Sequence, residues 1–92
     1  MSTTVADASE RSRFEISVDG ELAGFAAYRL TPGRITFVHT EVDDAYAGRG
    51  LGGKLARAAL EEARARGLPV RPDCPFIKGW IAKHPEYADL VV

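Results

Sequence analysis

The sequence predicts one small α/β domain of the α+β kind: a three-stranded antiparallel meander, a βαβ crossover to a short parallel strand, and a C-terminal helix. Three observations carry this. Apolar residues alternate with period two between Phe14 and Val42, the period lengthens to 3.6 beyond Val42, and Gly48, Gly50, Gly52 and Gly53 crowd the point of change.

The elements follow in order. Residues 1–12 are small and polar, without a periodic apolar pattern, and read as a disordered leader, leaving residues 13–92 as the domain. Phe14, Ile16 and Val18 alternate with polar neighbours and run into Asp19-Gly20, a hairpin signal. The second strand, from Glu21 to Leu30, ends at Thr31-Pro32-Gly33, where proline fixes one dihedral and glycine permits a positive one. The third, Arg34 to Val42, holds Ile35, Phe37, Val38 and Val42. Leu55, Ala59, Leu60 and Ala63 then form one stripe of an amphipathic helix that stops at Gly67. Leu68-Pro69-Val70 supplies the short strand, parallel to the third because a helix connects them. Pro75 opens a last helix through Phe76, Ile77, Trp80 and Ile81, and His84-Pro85 ends it.

Composition narrows the function. A chain of 92 residues has room for one core and one site. With a formal charge of −1 and no face rich in Lys and Arg, nucleic acid is not an expected partner. Cys74 is the lone cysteine, so no intrachain disulfide forms. No apolar run suits a signal segment or membrane span, and the expected setting is the cytoplasm, without membrane or metal. Oligomeric state is not legible.

The glycine-rich run opens the long helix, where backbone N–H groups and the positive end of the helix dipole favour a phosphate. Three phosphate motifs share these letters. A P-loop would run from Gly48 to Gly53-Lys54, but Leu55 stands where Ser or Thr would hold Mg²⁺. A dinucleotide fingerprint would use Gly48, Gly50 and Gly53, with Asp73 about twenty residues on as the ribose acid. Against it, Asp43 to Ala47 separates the strand from the first glycine, and three antiparallel strands precede. The third motif is the coenzyme A turn, [Gln/Arg]-x-x-Gly-x-[Gly/Ala], which Ala47 to Gly52 occupies with Ala47 in place of the leading Gln or Arg.

With His39-Thr40-Glu41-Val42 before this turn and a helix, short strand and final helix after it, the stretch from Phe14 to Val92 resembles the compact subfamily of GNAT N-acetyltransferases that lacks the usual N-terminal helices. The resemblance implies acetyl-CoA as cofactor, bound by Gly48, Arg49, Gly50, Leu51, Gly52, Gly53 and Lys54, with Arg49 or Lys54 compensating for Ala47. It also implies that the third strand and the strand near Val70 splay apart. The pantetheine arm would enter there, pairing with backbone near Thr40 and Val42. The acceptor would be a primary amine, small or a protein lysine. A non-catalytic acyl-CoA sensor and a nucleotide-binding module are the alternatives.

An attacking amine must lose a proton, and Glu41 and His39 are the candidate bases. By parity both are expected to face as Ile35 and Phe37 do. Cys74, just before a helix, is a candidate nucleophile, or else a small residue lining the pocket. Direct transfer to the amine is the expected route. Tyr87 is a lesser candidate acid.

Overall fold

A computed structural model describes residues 2–92 as one five-stranded sheet in sequence order. Strands β1 (Thr3–Ala8), β2 (Arg13–Val18), β3 (Glu21–Thr31) and β4 (Arg34–Val42) are antiparallel, and β5 (Val70–Pro72) runs parallel to β4. Helix α1 (Leu51–Ala65) forms the crossover and α2 (Pro75–Lys83) follows β5. Both turns of the meander form where the sequence places them. Asp19 and Gly20 have positive φ between paired Val18 and Glu21, and Gly33 has φ +75° after Pro32.

Both helices lie on one face of the sheet. Phe14, Ile16, Ala26, Ile35 and Phe37 meet Leu55, Ala56, Ala59 and Leu60 of α1 and Ile77 of α2 in a single core. Alanines on the buried stripe of α1 let it approach the strands closely. Its end is closed by paired backbone bonds, Leu68 N–H to the Ala63 carbonyl at 2.9 Å and Gly67 N–H to that of Arg64 at 3.0 Å, with Gly67 at φ +67°. That closure takes up Gly67 and Leu68. The parallel pairing therefore begins at Val70, two residues later than expected.

The leader reading is corrected for the described residues: Thr3 to Ala8 pairs in full register with β2, from Thr3 opposite Val18 to Ala8 opposite Arg13. Met1 lies outside the described residues. The alternation is present in Thr3, Val5 and Asp7, but the residues are too small and polar to give a hydrophobic signal. What fixes β1 is long-range. Tyr28 donates to Asp7 at 2.6 Å, and Arg66, just past α1, donates to the other Asp7 oxygen at 2.7 Å. Burial, helped by Asp7, pushes the Tyr28 phenol up to about 12.

The C-terminal segment Pro85–Leu90 is a 3₁₀ turn that returns to α1. Buried Tyr87 donates to Glu61 and accepts from Arg57 at 3.0 Å. Its phenol is raised, first by the bond to Glu61 and then by burial. Tyr87 is thus committed to docking the chain end, which corrects its reading as a candidate acid.

Candidate functional site

The gap between β4 and β5 starts at a definite residue. Their pairing runs from Ile35 opposite Val70 to Phe37 opposite Pro72, and a 2.8 Å bond from Cys74 N–H to the Phe37 carbonyl is the last link. Pro72 has no N–H to continue the ladder, and Pro75 starts α2, which turns the chain away. Residues 38–42 continue along β3 alone, from His39 opposite Ala27 to Val42 opposite Gly24. Among the described residues no strand pairs with their other edge. Cys74 is the N-terminal cap residue of α2, and its thiol, 2% exposed, donates to the Thr40 hydroxyl at 3.4 Å across the gap.

The glycine-rich turn lies at the head of α1. Asp43 caps the preceding 3₁₀ turn by accepting from Ala45 N–H at 2.9 Å, and the chain reverses through Gly48 (φ +81°) and Gly50 (φ +72°), the cap residue of α1. These two require left-handed backbone. Gly52 and Gly53 serve another purpose. A Cβ on Gly52 would stand 2.8 Å from the tip of the Phe76 ring, and one on Gly53 would lie 3.4 Å from Trp80 Nε1, so both let α2 pack on the first turn of α1.

Leu51 is buried by its side chain and offers the site only its backbone. Lys54 N–H already donates to the Gly50 carbonyl at 3.2 Å, which leaves the exposed ammonium as its free contribution. Arg49 lies over the Tyr46 ring at 5.3 Å. Helix geometry leaves the N–H groups of the first turn without intrahelical acceptors, and no side chain caps them. Those donors, with open space at Gly48 and Gly50 and the unpaired edge of β4, fit the pyrophosphate and the amide-bearing arm of coenzyme A.

The candidate bases do not face as parity predicts. A bulge at Val38 shifts the β3–β4 register, so that Tyr28 faces Phe37 but Ala27 faces His39. Beyond it, Thr40 pairs with buried Ala26 and turns to the helix-covered side. His39 and Glu41 turn to the opposite, open face, beside Phe25. There His39 Nε2 lies 3.6 Å from Glu41 Oε2, with both side chains about 60% exposed. The structure thus brings His39 and Glu41 together on one side of β4 and Thr40 and Cys74 together on the other. The signal for the bulge was the adjacent apolar pair Phe37-Val38, which breaks the alternation.

Comparisons with known proteins agree with this architecture. A family model described as GCN5-related N-acetyl-transferase matches residues 13–90. The chain is 41% identical over 63 residues to streptothricin acetyltransferase of Streptomyces lavendulae, covering 66% of this chain and 33% of that protein. It is 40% identical over 47 residues to the human protein NATD1, covering 51% of this chain and 42% of that one. The matched stretch thus spans less than half the length of either curated relative. Among solved structures, a GCN5-like solution structure from Staphylococcus aureus superposes with a TM-score of 0.74 at 27% identity, over 97% of this chain and 87% of that one. A ribosomal-protein-alanine N-acetyltransferase from Brucella melitensis shares the fold, with a TM-score of 0.58 at 18% identity over 87% of this chain and 60% of that one. With a match that runs from the first residue of β2 to the end of the C-terminal turn, this chain belongs to the GCN5-related N-acetyl-transferase family.

Proposed function

We propose that the chain is an acetyl-CoA-dependent N-acetyltransferase that moves an acetyl group directly to a primary amine, the new C–N bond replacing the C–S bond and coenzyme A leaving as the thiol after taking up a proton from solvent. The observation that carries this is the parting of β4 from β5 at Phe37, which leaves a free strand edge leading toward the glycine-rich turn. A dinucleotide needs no such edge, whereas the pantetheine arm can use it as a paired strand would. The streptothricin acetyltransferase and NATD1 matches support the reading.

Acetyl-CoA, when bound, supplies the activated acyl group as a thioester. The chain supplies the rest. N–H groups of Leu51, Gly52 and Gly53 at the positive end of α1 hold the phosphates, with Arg49 and Lys54 beside them. Backbone groups near Thr40 and Val42 hold the arm. Because Glu41 lies on the open face, it meets an amine arriving from the side opposite the helices and takes its proton. His39 Nε2 lies 3.6 Å from that carboxylate and is the second candidate for the role. Cys74 is buried and bonded to Thr40, which suits a residue lining the gap rather than an acyl carrier.

Steady-state transfer from acetyl-CoA to an amine tests this. Glu41→Gln should lower turnover by about 10²-fold or more while coenzyme affinity is nearly kept. Unchanged turnover at every pH would remove Glu41 from the role and pass it to His39, to be tested by His39→Gln. Binding of acetyl-CoA without transfer to any amine would favour a sensor.

A further inference from the structure

A cavity of about 210 Å³ opens on the same sheet face as Glu41. A second bulge makes it. The β2–β3 register shifts so that Ser17 faces Leu22 while Ile16 faces Gly24, leaving Ala23 extra. Leu22 and Phe25 consequently both stand on the open face, one on each side of a depression whose floor is strand backbone. Gly24 lets β3 approach β4 closely here, because a Cβ on it would lie 2.5 Å from the Glu41 carbonyl oxygen. Val42, whose side chain packs against the core, contributes to the floor, and the ionisable residues lining the cavity are Glu41 and Asp43.

We infer that this cavity is the acceptor pocket and that it selects a primary ammonium carried on an unbranched hydrocarbon stem. The inference deepens the acetyltransferase reading and rests on it. Apolar walls suit a methylene chain, and both lining ionisable groups are carboxylates, which match a cation and repel an acidic acceptor. The nearby guanidinium of Arg13, 4.4 Å over the Phe25 ring, is paired with Glu15 at 2.6 Å and adds little net positive charge. Size restricts the occupant further. The volume is below the roughly 300 Å³ at which drug-sized ligand pockets begin, which suits one extended amine stem. Glu41 belongs both to the cavity wall and to the base position, so an ammonium held here is delivered to the group that deprotonates it.

Amide NMR of the full chain decides it. The probes are Nα-acetyl-lysine methylamide, its neutral Nε-acetylated counterpart, and spermidine. The cationic probes should shift the amides of residues 22–25 and 41–43, and the neutral one should bind about tenfold more weakly or worse. Asp43→Asn keeps an oxygen for the Ala45 cap but loses the charge, and should weaken the cationic probes and raise the acceptor KM about tenfold. Tighter binding of the lysine derivative assigns polypeptide lysines, and tighter binding of spermidine assigns small polyamines. Equal binding of charged and neutral probes, shifts confined to another surface, or no shifts would overturn the inference. Acetyl-CoA added to the same sample separates the two claims: its failure to bind sinks the transferase reading, and failure of the amines alone sinks only the pocket.

Discussion

Cys74 and Thr40 show how far a residue's role depends on its partner. At the cap of α2, with its thiol donating to Thr40 and its N–H to Phe37, Cys74 closes the point where the sheet divides. The proposed direct transfer would leave it no chemical duty. Cys74→Ala should therefore keep most of the transfer activity, at a stability cost of about 1 kcal/mol for the lost packing. Intact-protein mass spectrometry after acetyl-CoA without acceptor should show no acetyl adduct. A stoichiometric adduct that passes to an added amine at the turnover rate would reverse this assignment. The sequence pointed to Cys74 beside the end of the third strand, because a cysteine between two prolines at a helix start is a local signal. It hid which way His39 and Glu41 face, because one extra residue at Val38 inverts every side chain after it.

Among the elements, β2, β3, β4 and α2 are legible from alternation, turn residues and proline. β1 is not, since its place depends on Tyr28 and Arg66, far away in sequence. Asp7→Ala should release it. Hydrogen exchange would speed up across Thr3–Ala8 while β3 and β4 stay protected, with a stability loss of about 1–3 kcal/mol from the unpaired Tyr28 hydroxyl. Protection of β1 equal to the parent would mean that backbone pairing alone fixes it. A second element-scale contact has a pH signature. Glu15 on β2 accepts from Arg11, in the turn after β1, and from Arg13. Chiefly through Arg11, its carboxyl falls from the usual 4.5 to about 2. Its contribution is complete above pH 4.5 and is lost as pH falls toward 2, because the unfolded chain takes up the proton first. Acid titrations of stability should show Glu15→Gln with a flatter limb in that window; an identical limb would mean that the arginine contacts contribute nothing in solution.

At the scale of the molecule, a two-layer domain with helices on one face leaves the other face open, and the proposed transfer would bring the amine from that side to the gap between β4 and β5. The position of that gap follows from Pro72 and Pro75, which the sequence displays. The acceptor cavity follows from two register shifts, which it does not. Such a small domain should also draw apparent stability from its ligand. The central claim is that acetyl-CoA binds along the open edge of β4 with its phosphates at the head of α1. Amide NMR during an acetyl-CoA titration tests it most directly, with Gly50→Glu as control because it places a carboxylate at the turn. The account predicts shifts concentrated in residues 40–42 and 48–54 of the parent and their loss in a Gly50→Glu variant that remains folded by circular dichroism. Unperturbed amides in both segments, or equal binding by the folded variant, would contradict it.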